Sequence, residues 1–165
     1  MPNPVPEPLA GFITSHISIH VAACPDGGVA TLARGLGCRI APSEPTRVRV
    51  LLAHPQALPV LEAIRANGRI AVVLNEPESH RTVQLKGNDA RIDDSDADDH
   101  AALAPYRNAM AQRLKVFDTP EPFVHAILSC APDELVTISF TPEAVFGQTP
   151  GPRAGASMAP DAPLP

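Results

Sequence analysis

Hydrophobic and polar positions alternate along residues 12–23 (FITSHISIHVAA). Ile17, Ile19 and Val21 fall on one face, and His16, Ser18 and His20 on the other. That period predicts a half-buried strand. CPDGG follows as a turn, because Asp-Gly tolerates positive φ, and residues 29–40 (VATLARGLGCRI) read as the second strand of a hairpin. After the APSEP loop, 46–53 (TRVRVLLA) alternates again. The period then changes. Leu58, Leu61 and Ile64 fall at helical spacing within 56–67, and Asn67-Gly68 supplies a stop.

A short apolar strand is predicted over 69–75 and a long one over 80–92, with Gly87 as a bulge. Ser95 opens a helix whose first turn carries Asp96, Asp98 and Asp99, at the end where acidic groups favour the helix dipole. Leu103, Tyr106, Met110, Leu114 and Phe117 continue it at steps of three and four. A short helix over 121–129 and strands over 135–141 and 142–148 complete the chain. Consecutive hairpins imply an antiparallel sheet. The fold class expected is mainly β (α+β), a six-stranded antiparallel split β-barrel with two or three flanking helices.

The folded domain is expected over 9–148. Residues 1–8 and 149–165 are rich in Pro, Ala and Gly and read as flexible tails. A chain of 165 residues suits one domain. The net charge of -5, with no basic tract, argues against nucleic acid as a partner. No apolar run approaches the roughly 20 residues needed to cross a bilayer. The start, MPNPVPEP, has neither a cationic segment nor an apolar core, so a cytoplasmic location is expected. Cys24, Cys38 and Cys130 form no CxxC pair, which implies neither a disulfide framework nor a zinc site.

The candidate chemistry lies in two strands. Arg34 stands among Ala30, Leu32, Leu36, Cys38 and Ile40, an apolar face on which an arginine needs an anion or several acceptors. Gly35 and Gly37 precede Arg39 on the opposite face, which suggests close approach by a ligand or another backbone. A bulge that carries Arg34 out to solvent is the other reading. In the strand from 80, His80, Thr82, Gln84 and Lys86 share a polar face, either solvated or ligand-binding, and Arg81 sits at the rim of the apolar one. Arg34 and Arg81 on neighbouring strands would converge on one phosphate. His16 and His20 lie about 13 Å apart along a strand, too far to share a metal. The acidic clusters at 93–99 and at Glu76/Glu78 read as a helix start and a turn.

The stretch from CPDGG through VRVLLAHPQALPVLEAIRANGRIAVVLNEP to HRTVQLKG resembles the pyridoxamine 5'-phosphate oxidase-like, FMN-binding split barrel, over roughly residues 12–147. The resemblance implies an intertwined homodimer with FMN between the subunits and a small-molecule substrate. It places Arg34 or Arg39, and Thr82, at the flavin or its phosphate. With Arg81, Gln84 and Lys86 these form the expected cofactor-binding set; no catalytic residue is named. The family's Ser-Arg-Lys tripeptide is replaced here by His54-Pro55-Gln56, and the C-terminal tryptophan of the oxidases is missing. True pyridoxamine phosphate oxidase activity is therefore not expected. The resemblance leaves an FMN-dependent oxidoreductase or flavin reductase, a non-catalytic flavin- or haem-binding protein on the same barrel, or a member that uses the deazaflavin F420.

Overall fold

The computed structural model describes residues 5–159 and 161–164. Helix α1 (Glu7–Ile13) opens them, followed by β1 (Ser18–Ala23), β2 (Thr31–Arg34), β3 (Gly37–Arg39) and β4 (Val48–Ala53). Then come α2 (His54–Asn67), β5 (Ile70–Asn75), β6 (Thr82–Gly87) and β7 (Arg91–Asp93). The rest is α3 (Ala97–Leu114), α4 (Glu121–Ile127), β8 (Leu135–Phe140), β9 (Ala144–Gly147) and β10 (Ala156–Met158).

The strands form two antiparallel sheets. The larger runs β10-β9-β6-β5-β1-β2 and the smaller β3-β4-β8-β7. The expected α+β class and six-stranded antiparallel sheet are present. Closure is not: the larger sheet ends at β10 and β2 and does not form a barrel. One continuous core fills the inner side, with Ile19, Val21, Val72, Leu74, Val83 and Leu85 from the larger sheet. All six residues of β4 are buried, as are Ile138 and Phe140 of β8.

Two long strands read from the sequence are each divided between the sheets. The 29–40 segment breaks at Gly35. The Gly35 amide donates to Ile19 O at 2.8 Å, and the next amide, Leu36, donates to Leu51 O at 2.8 Å. The chain thus changes sheets within one residue. A Cβ at Gly35 would lie 2.6 Å from the Ile19 side chain, so the glycine serves chain packing rather than a ligand. The 80–92 segment breaks at Gly87, where a Cβ would lie 2.6 Å from Thr141 O. The expected bulge is a crossing between sheets.

Local chemistry sets the helix ends. Pro55 sits in the first turn of α2, and Gly68 ends it at φ 68°. α3 starts one residue later than expected, with Asp96 rather than Ser95 as its cap. The Asp96 side chain accepts from the Asp99 amide at 2.7 Å, and the Asp96 amide donates to Asp99 Oδ2 at 3.1 Å, a reciprocal cap. Residues 12–13, read as strand, belong to α1, which buries Leu9, Phe12 and Ile13. At the other end, β10 lies in the segment expected to be a tail, yet pairs with β9. Met158 and Leu164 pack against the core.

Candidate functional site

The larger sheet buries one face and leaves the other without a covering element among the described residues. Alternation along β1, β5 and β6 sends Ile19, Val72 and Leu85 inward, and His20, Val73 and Gln84 outward. Strand register lines up the outward positions. Arg34 stands opposite His20, His20 opposite Val73, Val73 opposite Gln84, and Gln84 opposite Phe146. Beside this row runs a second one, Leu32, Ala22, Ala71, Lys86 and Ala144. Strands lie about 4.8 Å apart, so Arg34 and Gln84, three strands apart, stand roughly 14 Å from each other.

The face has a cationic edge, a floor of small side chains and an amide with an aromatic ring at the far side. Lys86 Nζ lies 5.0 Å from the centre of the Phe146 ring, within cation–π range. Gln84 accepts from Gln148 Nε2 at 3.3 Å. A groove of about 340 Å³ opens at one end of the face, lined by Ala22, Ala71, Cys24, Arg69, Lys86 and Asn88. His20 is half-buried; burial and then the neighbouring Arg34 cation hold its imidazole below the ordinary pKa of 6.5.

The expected site residues divide. Arg34, Gln84 and Lys86 share this face. Arg34 is exposed, as is Leu32 at 65%, whereas Leu36 is buried. The apolar face read around Arg34 is split where the chain changes sheets at Gly35, and Arg34 stands in regular register opposite His20 rather than on a bulge. Thr82 is buried, and its hydroxyl is engaged: it donates to His80 O at 2.8 Å and accepts from Asn75 Nδ2 at 2.7 Å. Arg81 lies just before β6, 4.0 Å from Glu76 and 5.2 Å from the Phe12 ring centre. β2 and β6 are not neighbours, because β1 and β5 separate them; the expected convergence of Arg34 and Arg81 on one phosphate has no adjacent-strand geometry to support it.

Arg39 is on the smaller sheet, bonded to Asp96 and Asp98 at 3.1 Å each and to Asp99. Asp99 is wholly buried and also meets Arg49 and the Thr137 hydroxyl. Burial alone would raise its pKa, but hydrogen bonds from Arg49, the Asp96 amide, Arg39 and Thr137 hold it below the ordinary value. The acidic run 93–99 is thus more than a helix start. It binds two arginines and ties α3 to the smaller sheet.

Sequence reading missed His20, Arg47, Arg49 and Arg107. The His20 signal was available, since the same alternation that marked the strand put it on the polar face of the hairpin. Arg47 and Arg49 alternate with Val48 and Val50 in a buried strand, which called for acidic partners elsewhere. Arg107 had no sequence signal. It lines a cavity of about 350 Å³ with Pro55, Gln56, Ser129, Cys130 and Glu134, and its buried Nε has no hydrogen-bond partner among the described residues. No cluster of three metal-ligating side chains occurs among the described residues, and no described helix is long and apolar enough to cross a membrane.

Compared by sequence, the chain matches no protein-family model and no curated protein. Its structure does have likenesses. HupZ from Group A Streptococcus is 15% identical with a TM-score of 0.51, over 88% of this chain and 96% of that one. The H111A form of HupZ gives 14% and 0.50, over 87% and 98%. A candidate pyridoxamine 5'-phosphate oxidase from Lactobacillus delbrueckii gives 15% and 0.51, over 87% and 93%. At these identities the likeness is one of fold, and the chain has the fold of the pyridoxamine 5'-phosphate oxidase-like proteins.

Proposed function

We propose that the chain is an FMN-binding oxidoreductase or flavin reductase, with the cofactor laid along the outer face of the larger sheet. The observation that carries this reading is the cross-strand row from Arg34 to Phe146. It offers a cation at one end, an amide about 14 Å away and an aromatic ring one strand further, about 19 Å away. That arrangement fits an elongated ligand with an anionic end and a planar end. Arg34 takes the phosphate, for which a guanidinium fork is well shaped. Gln84 and Lys86 address the ring edge, and Thr82 holds its strand in place. Arg39, engaged by three aspartates, is left out of the set, and Arg81 is assigned no contact.

Flavin, when bound, supplies the hydride chemistry. The residues of this chain bind and orient it and set the charge around it. One copy leaves the face open. Val29 is 83% exposed and Leu32 65% exposed, and a second copy of the chain would cover them and enclose the ligand. The absent Ser-Arg-Lys tripeptide speaks against pyridoxamine phosphate oxidase activity; the cavity at Arg107 is the alternative place for a phosphate.

The absorption spectrum of the purified protein tests the cofactor. Flavin bands near ~450 and ~375 nm support the reading. A Soret band would replace flavin with haem, and a flavin-free protein that binds F420 but not FMN would replace it with the deazaflavin. Light scattering tests the assembly: a monomer at micromolar concentration removes the interface-bound ligand.

A further inference from the structure

His20 and Arg34 face each other directly across β1 and β2, on the open side of the sheet. Opposed residues of this kind have Cβ atoms about 4.5–5.5 Å apart. Neither side chain has a hydrogen-bond or ion-pair partner among the described residues. Among the described residues, the strand neighbours of the pair supply no counter-charge. Across β5, His20 meets Val73, with Ala71 and Asn75 on the diagonals. Its own strand adds Ser18 and Ala22 on the same face, and β2 adds Leu32 beside Arg34. Tyr106 is close enough to feel the Arg34 cation, but it is a neutral phenol whose hydroxyl donates to Ile17 O at 2.9 Å. Among the described residues, Arg34 is therefore the one charged group facing His20 from the neighbouring strands.

Two cations set side by side repel one another, so the pair is most stable with His20 neutral, as burial and Arg34 both favour. An anion placed between them reverses this balance. It attracts both groups, cancels their repulsion and makes a second imidazole N–H useful as a donor.

We propose that His20 and Arg34 form a single anion-binding unit in which His20 takes up a proton as the anion arrives. This rests on the reading of Arg34 as the phosphate anchor and adds a second donor and a pH dependence to it. The ligand class is a phosphate monoester, whether carried by a flavin nucleotide or free. Because linkage is reciprocal, anion affinity falls as pH rises through the titration of His20.

The test compares wild type with His20→Gln by flavin-fluorescence titration of FMN, with riboflavin in parallel. The phosphate of FMN has its own pKa near ~6, so the ratio of the two proteins' affinities, rather than either affinity alone, is the readout. The ratio for FMN should be roughly tenfold at about pH 5.5 and near unity above about pH 8, the range over which an imidazole loses its proton. The ratio for riboflavin should not change with pH. A pH-independent FMN ratio, or the same trend with riboflavin, overturns the proposal. If FMN binds neither protein, the flavin reading fails, and inorganic phosphate becomes the probe. The His20 imidazole NMR signal, identified by its loss in His20→Gln, should then titrate at higher pH when phosphate is added, and this rise should vanish in Arg34→Met. A midpoint that phosphate leaves unmoved overturns the pair itself.

Discussion

Arg49 donates from Nε to Asp99 Oδ1 at 3.4 Å and from Nη2 to the other oxygen of the same carboxylate, so the guanidinium spans both acceptors of a wholly buried acid. Removing one partner of such a pair leaves the other charge buried and costs about 3–5 kcal/mol. Asp99→Asn also weakens the side-chain half of the reciprocal cap of α3 and the hold on Arg39, which keeps Asp96 and Asp98. The variant should melt at least about 6 °C below wild type, taking roughly 2 °C per kcal/mol for a domain of this size. A loss of a degree or two would show that the cluster is largely solvated.

The same carboxylate sets an acid limit. Asp99 and Asp89 both have pKa values lowered in the folded protein; burial opposes the shift, and hydrogen bonds from Arg49 in the one case and from Thr141 and Arg47 in the other outweigh it. A lowered folded pKa means that the native state favours the ionised form. Its stabilisation is therefore complete above the unfolded value of about 3.9 and is lost as pH falls below that, through the folded pKa. Melting temperature should fall steeply below about pH 4 in wild type and less steeply in Asp99→Asn. Parallel acid slopes in the two proteins would sink the assignment.

Burial pushes the Cys38 thiol up to about 12, which leaves almost no thiolate at neutral pH. Its alkylation by iodoacetamide at about pH 8 should be at least tenfold slower than that of a free cysteine, because the thiolate is the nucleophile. Mass spectrometry of timed digests reads this site by site. Labelling of Cys38 as fast as a model thiol would mean that its pocket opens.

Periodicity made most elements legible. The strand through Ile17, Ile19 and Val21 and the helix through Leu58, Leu61 and Ile64 were visible because burial repeats at two and at three to four residues. Divided strands were not, since alternation carries through Gly35 and Gly87 while the chain changes sheet, and only the partner strands reveal the crossing. The site was partly legible for the same reason. Gln84 and Lys86 share a face by alternation within one strand, whereas the alignment of Gln84 with Arg34 is a matter of register across four strands. Arg39 and Arg81 resembled Arg34 in sequence, but their acidic partners, Asp96 to Asp99 and Glu76, become neighbours only on folding.

Composition suggested a loose C-terminal tail, whereas the structure pairs Ala156–Met158 with β9, packs Met158 against the core and has the Thr82 amide donate to Thr149 Oγ1 at 3.0 Å. Burying a methionine side chain contributes about 1.5–3 kcal/mol at full burial. Removal of residues 149–165 should therefore lower the melting temperature by about 4 °C or more. A change within about 2 °C would show that the tail contributes little to stability, as its composition suggested.

Arg34→Met separates a ligand-binding role from a structural one. The side chain is exposed and has no hydrogen-bond or ion-pair partner among the described residues, so the variant should fold with an unchanged melting temperature. If Arg34 holds the phosphate, FMN affinity should fall by about 1.5–3 kcal/mol, the scale of a hydrogen bond to a charged group, or roughly tenfold to a hundredfold in Kd. Flavin-fluorescence titration measures this, and riboflavin is the control. Without a phosphate, riboflavin should bind wild type and variant nearly alike. Equal losses for both ligands would assign Arg34 to the ring. Unchanged FMN affinity would remove Arg34 from the site and turn attention to the cavity beside Arg107, whose buried Nε lacks a partner among the described residues. Arg39 would not inherit the role, because freeing it requires breaking its bonds to Asp96, Asp98 and Asp99.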